Sequence, residues 1–323
     1  MPFVRTVLGD VETSQLGVVY AHEHLVIAGG RPVEREPDFL LADVERAVAE
    51  LEPAKALGLR TIVDAMPCDA GRDVGLLAEI SRRAGIHVVA PTGLHHERYY
   101  EDRHWSRTYE TEEIAELFVA DIEVGIDARD YVGPLVRRTP HRAGVIKIAG
   151  SEGGLSARDE RIFDAAAIAH RRTGCPILTH CENGTGALEQ VRRLTDGGVD
   201  PGHVVCSHVD KVVDRGYQRA IFATGACVEY DQAFRWPADG PNGTLTCIEW
   251  AIEDGFAGRI VLGLDAARRR YWSAYGGWPG WTYLLGRFSP LLAERGVPEA
   301  TRRAFFVENP ARAFAFAPVA PRA

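Results

Sequence analysis

The chain has 323 residues, 46% of them hydrophobic, and 37 basic against 45 acidic side chains leave a formal charge of −8. That much apolar material suits a large core and excludes a disordered chain. The acidic balance excludes a generally nucleic-acid-binding or anionic-membrane surface, so any anionic ligand must meet a local basic pocket. Residues 1–10 carry charges at Arg5 and Asp10 around no continuous apolar centre, which is not the pattern of a signal peptide, and no apolar run reaches the ~18 residues of a spanning helix. Six scattered cysteines never form Cys-x-x-Cys and read as reduced, cytoplasmic thiols. Lysine is rare: Lys55, Lys147 and Lys211 stand in a chain that otherwise uses arginine.

In chain order, residues 4–8 read as the first arm of a hairpin with its turn at Gly9-Asp10, and 18–24 as a buried strand ending in His22 and His24. On a strand, positions i and i+2 share a face, so the two imidazoles project together and suit one metal ion. Taken alone, the pair is equally compatible with packing. A helix over 43–57 with Asp43 as cap precedes a strand over 61–65 that includes Asp64; a helix over 72–84 precedes a strand over 87–91. A long loop, 93–110, contains His95 and His96, which read as surface or supporting residues, and leads to a helix over 112–125. Then come strand 144–149 with Lys147, helix 157–172, strand 175–180 ending at His180, helix 184–195, and strand 203–208 ending at His208. Helix 212–221, strand 226–231, helix 245–254 and strand 259–265 ending at Asp265 complete the alternation, and 298–316 reads as helix with Asn309 as cap and Pro310 at its first position.

Strands written as unbroken apolar runs are buried on both faces, as parallel strands are. Eight strand ends recur at about 35-residue steps, the size of one unit of a (β/α)8 barrel of ~250 residues or more. A doubly wound open sheet would bring Gly-x-Gly-x-x-Gly after the first strand, and none is present. The expected fold is therefore a single (β/α)8 TIM barrel over 1–323, with a short N-terminal hairpin and C-terminal helices.

Polar residues that end apolar barrel strands are candidates for chemistry. His22, His24, Lys147, His180, His208 and Asp265 form such a set, and packing alone explains six of them poorly. Lys147 lies between Val145-Ile146 and Ile148-Ala149, where an unpaired ammonium is costly to bury. Three roles stay open for it: a salt-bridged structural lysine, a Schiff-base nucleophile of lowered pKa, or a lysine carboxylated by carbon dioxide, whose anion could bridge two cations.

The combination of Ala-His-Glu-His (21–24), Gly71-Arg72-Asp73, Val-Ile-Lys-Ile (145–148), Thr-His-Cys-Glu-Asn-Gly (179–184), Ser-His-Val-Asp (207–210), Gly-Leu-Asp (263–265) and Asn-Pro-Ala-Arg (309–312) resembles the phosphotriesterase-related branch of the amidohydrolase superfamily over nearly the whole chain. The resemblance implies a (β/α)8 barrel with two divalent metal ions, zinc first, with manganese or cobalt as alternatives. One metal would take His22, His24 and Asp265, the other His180 and His208, with N6-carboxylated Lys147 and a hydroxide between them. Asp265 would accept the proton of the attacking water. Within the branch, Asp-Ala-Ala-Arg-x-x-Tyr (265–271) is most similar to the lactonases of phosphorylated sugars, where the residues matching Arg268 and Tyr271 hold the phosphate; Arg235 is a looser match. Three consecutive arginines at 268–270 also suit an anion on charge alone. The expected substrate is a phosphorylated sugar lactone, with organophosphate triesters or acyl-homoserine lactones as alternatives on the same centre and a non-catalytic metal-binding barrel as the reading of another class. No nucleic-acid or membrane partner is expected, and a homodimer is admitted.

Overall fold

The computed structural model describes residues 2–319. Strands β1 (Phe3–Thr6) and β2 (Gly9–Glu12) pair antiparallel with Val4 opposite Val11. The turn lies two residues earlier than the spacing predicts. The Thr6 hydroxyl donates to the Gly9 carbonyl and accepts the Leu8 N–H, which closes the reversal at Val7-Leu8.

The barrel staves are β3 (Val18–Glu23), β4 (Leu59–Asp64), β5 (His87–Val89) continuing into β6 (Pro91–Leu94), β7 (Val145–Gly150), β8 (Ile177–Cys181), β9 (Val204–Ser207), β10 (Cys227–Tyr230) and β11 (Ile260–Leu262). All pair parallel, in the order β3-β4-β5 and β6-β7-β8-β9-β10-β11. The third stave is broken at Ala90, because Pro91 has no N–H to offer the ladder. The last stave meets the first where the Asp265 N–H donates to the His22 carbonyl at 3.0 Å. A Cβ on Gly263 would lie 2.9 Å from both the nitrogen and the oxygen of His22, so glycine permits this closure. The result is the predicted (β/α)8 barrel.

Helices α1 (Gly30–Arg35), α2 (Val44–Ala56), α3 (Val74–Ala84), α4 (Thr111–Glu123), α5 (Ala157–Thr173), α6 (Ala187–Asp196), α7 (Arg215–Ala223), α8 (Gly243–Glu253), α9 (Ser289–Glu294), α10 (Glu299–Phe306) and α11 (Glu308–Ala313) cover the staves and the C-terminal side. Side-chain caps set several starts: Asp43 accepts from Arg46 N–H, Asp73 from Leu76, Asp214 from Tyr217 and Asn242 from Leu245. Those caps move the helices predicted at 72 and 212 to later starts and the one predicted at 245 to an earlier one. The helix predicted from 184 begins at Ala187, since Asn183, Gly184 and Gly186 adopt left-handed φ. The predicted C-terminal helix is two helices broken at Val307. Asn309 is not a cap; its Nδ2 donates to the carbonyls of Ala257 and Ile260, and Pro310 is the third residue of α11, where no intrahelical N–H bond is lost. None of these helices is long and apolar enough to cross a membrane.

Strand alternation divides the core in two. Leu16, Val19, Val63, Val89, Val145, Leu178, Val205 and Val261 fill the barrel, while Ile62, Val88, Ile146, Ile148 and Ile177 face the helices with Phe118 and Phe163. The same period of two that sends Ile146 and Ile148 outward sends Lys147 inward.

Candidate metal centre

Each predicted strand-end residue reaches one site at the C-terminal mouth of the barrel. His22 is buried; its Nε2 lies 3.4 Å from Lys147 Nζ and 3.9 Å from Asp265 Oδ1, and His24 Nε2 lies 3.3 Å from the same oxygen. His180 Nδ1 and His208 Nε2 face each other at 2.9 Å. The outer nitrogens are backed by carboxylates: His208 Nδ1 by Asp231 at 2.5 Å and His180 Nε2 by Glu182 at 2.8 Å. Burial, reinforced by neighbouring positive groups, holds His22 and His180 well below the usual imidazole range, and burial lowers His208 too. Neutral rings with free lone pairs are the ligand form. Burial brings the Lys147 ammonium down to about 8 against the pull of nearby acids. Burial would raise Asp265, but His24, Arg235, His208 and His22 outweigh it and hold the carboxyl ionised.

Local backbone presents these groups at an angle no regular strand offers. His208 (φ 67°) and Asp265 (φ 48°) both sit in the left-handed region just past their strands. Asp265 is held there from both sides: the buried Glu23 carboxylate accepts the N–H of Leu264 at 2.7 Å and of Ala266 at 3.3 Å. Arg235, expected to contact substrate, spends its Nη1 on the carbonyls of Asp231 and Leu264 and its Nη2 on the Asp265 carbonyl and carboxylate. It lies under the loop and orders it.

Above the set opens a cavity of about 170 Å³, walled by Phe39, Met66, His95, Tyr99, Lys211 and Arg268. The Nε–Nη2 edge of Arg268 is bound by Glu36 at 3.0 and 3.1 Å and its plane lies 4.2 Å over the Phe39 ring; no hydrogen bond engages Nη1 among the described residues. Lys211 has no acidic partner among the described residues. Burial pushes the Tyr271 hydroxyl up, yet the guanidiniums of Arg235, Arg270 and Arg268 together bring it below its ordinary value. His95 and His96 are buried, with His95 5.0 Å and His96 4.8 Å from His180 between ring centres, not on the surface. A larger cavity, about 640 Å³, opens at the opposite end of the barrel beside Cys227, Phe256 and Arg259; it borders none of the predicted ligands. All six cysteines are buried and unpaired.

Glu23, Lys211, Glu229 and Asp231 also belong to the site and were not singled out from sequence. The last two carry a legible signal, two carboxylates at i and i+2 on a buried apolar strand, the pattern that marked His22 and His24. The donor set suits divalent metal. Ligands ~2.1 Å from a tetrahedral zinc stand about 3.4 Å apart, and the His24–Asp265 and His22–Asp265 separations of 3.3 and 3.9 Å bracket that value. Three groups among the described residues could hold an ion: His22, His24 and Asp265; the fully buried His22, His208, Glu229 and Asp231; and His96, His180 and Glu182.

The model of the phosphotriesterase family matches residues 2–314. The phospho-furanose lactonase of Mycoplasmopsis synoviae (strain 53) is 35% identical over 324 residues, spanning 97% of this chain and 92% of the relative. The crystal structure of an amidohydrolase from Mycoplasma synoviae superposes with a TM-score of 0.92 at 34% identity, covering 99% of this chain and 93% of that one. A lactonase from Listeria monocytogenes superposes with a TM-score of 0.90 at 30% identity, covering 98% of this chain and 100% of its own. The chain belongs to the phosphotriesterase family.

Proposed function

We propose that this member of the phosphotriesterase family hydrolyses the ring ester of a phosphorylated sugar lactone to the open hydroxy acid. The observation that supports the substrate assignment is the pair of cations in the cavity wall beside the ligand set: among the described residues, Arg268 has its Nη1 unengaged and Lys211 has no acidic partner, and the nearby Tyr271 hydroxyl is drawn down by three guanidiniums. A dianionic phosphate gains charge-assisted hydrogen bonds there that a lipophilic acyl chain or a neutral triester does not. The phospho-furanose lactonase name of the M. synoviae relative supports the same reading.

His22, His24 and Asp265 would hold one divalent cation and His180 and His208 the other, with Lys147 carboxylated between them. Burial favours this modification because the neutral amine is the form that adds to carbon dioxide: the C–N bond forms, a proton leaves, and an anionic carbamate results. Bound divalent cations, zinc first and manganese or cobalt next, polarise the carbonyl and acidify water. The chain supplies the rest. Arg268, Lys211 and Tyr271 hold the phosphate, which places the lactone carbonyl over the histidines. The ionised Asp265 takes the proton of the attacking water and returns it to the ring oxygen as the acyl–oxygen bond breaks. Arg235 and Glu23 keep Asp265 in the orientation this transfer needs. The protein so described is a cytoplasmic enzyme of small molecules.

Arg268→Met tests the substrate assignment. A charge-assisted bond contributes about 1.5–3 kcal/mol, or about 10–150-fold, and Glu36 keeps Arg270 as its partner at 3.3 Å. kcat/KM for a phosphorylated lactone should fall by at least about tenfold with metal content unchanged, while the unphosphorylated lactone is spared. Equal slowing of both lactones, or higher turnover of a paraoxon-like triester or an acyl-homoserine lactone by the unmodified enzyme, would refute it.

A further inference from the structure

Strand β10 points Glu229 into the barrel, and Asp231, two residues on, follows the same face. Asp231 is fully engaged, by His208 Nδ1 and by the side-chain amide of Gln232. Glu229 is not. It has no exposed surface, and apart from the Asp231 carboxyl beside it neither of its oxygens has a hydrogen-bond partner among the described residues. One of its oxygens lies 3.3 Å from His22 Nδ1, which also faces the Ser207 hydroxyl at 3.0 Å. The other oxygen would be 2.6 Å from a Cβ on Gly263, so the glycine after β11 leaves room for it. A buried carboxyl with so few partners is costly to the fold, and this one stands directly behind the imidazole whose Nε2 faces Lys147 and Asp265.

We propose that Glu229 is a positioning residue for the metal centre: with Ser207 it keeps His22 protonated at Nδ1 and its Nε2 lone pair on the ligand cluster, the counterpart of Asp231 behind His208. The two carboxylates of one strand thereby back one ligand in each half of the site. Outer carboxylates of this kind fix the ring tautomer and strengthen the ligand, and losing one typically costs 10–100-fold in metal affinity. The inference rests on the proposed metal centre.

The experiment compares wild type with Glu229→Gln, which keeps the volume and removes the charge. Zinc binding is read by chelator competition, and thermal unfolding is read on metal-free protein. A structural carboxylate moves the unfolding temperature, and a positioning carboxylate moves the zinc affinity. For the positioning role, the metal-free variant unfolds at about the wild-type temperature, because the amide fills the same volume, while one of its two zinc sites weakens about 10–100-fold and the other holds. A variant that fails to fold, that unfolds earlier without metal, or that binds both zinc ions as wild type does overturns the assignment. Wild type that binds no zinc instead removes the metal reading beneath it, so the two failures are separable.

Discussion

Glu23 lies between the two histidines of the first stave, yet its partners are 241 and 243 residues away, the N–H groups of Leu264 and Ala266 on either side of Asp265. Glu23→Leu fills the same space and removes both acceptors. Each buried N–H left without a partner costs about 1–3 kcal/mol, so the pair costs about 2–6 kcal/mol. Unfolding entropy of about 2.1 cal/mol/K per residue, over 323 residues, gives about 0.7 kcal/mol per kelvin, and Tm should drop by about 3–9 °C. The loss concentrates on the segment that keeps Asp265 left-handed, a conformation that disfavours most residues by roughly 1–2 kcal/mol. Released from the clamp, Asp265 relaxes toward ordinary φ and away from the orientation that the proposed proton transfer needs. A misplacement near 1 Å costs roughly 10²-fold, so kcat should fall by about that factor with KM little changed. Differential scanning calorimetry and steady-state kinetics on a phosphorylated lactone make the test. A variant with the full drop in Tm but kcat within twofold of wild type would show that the clamp serves the fold and leaves Asp265 free; a drop below 2 °C would mean that the two bonds carry nothing.

Two further perturbations probe how the barrel delivers the site. Buried Arg72 donates to Asp130 through Nε at 2.8 Å, to Asp121 at 3.1 Å and to the Pro91 carbonyl at 2.6 Å, so Arg72→Met strands buried carboxylates and should cost about 3–5 kcal/mol in urea denaturation. Adding Asp130→Asn should recover part of that loss; a double variant no more stable than Arg72→Met disproves the coupling. Gly93 (φ 106°) faces the ligand-bearing strand so closely that a Cβ would fall 1.9 Å from the Lys147 carbonyl oxygen. Gly93→Ala should push β6 off β7, and metal analysis should find less bound divalent metal in the folded fraction; wild-type metal content and kcat together would contradict this.

The eight strand–helix units are legible because each stave is an apolar run buried on both faces, and Asp43 announces the first of the long helices. The errors fall where a local rule is overridden. Asn309 has the identity of a cap, but the carbonyls of Ala257 and Ile260 draw its amide away. Gly184 and Gly186 lie in an apparent helix start, but their left-handed φ delays it. His22, His24, Lys147, His180, His208 and Asp265 stand out since polar side chains at the ends of such runs have little reason to be there.

Arg235 shows where that reasoning stops. Its charge and position suggest an anion contact, whereas its donors go to the carbonyls of the loop it supports. Likewise Arg268 reads as a free cation until Glu36, 232 positions earlier, is found along one edge of it. The sequence by itself determined period, burial and residue type: which strands are internal, and which polar groups they carry inward at every second residue. Only the tertiary structure decided which of those groups meet, which carboxylate backs which imidazole, and which arginine remains open to a ligand. Those pairings join residues up to 243 positions apart, and they come into being only when the last stave closes on the first.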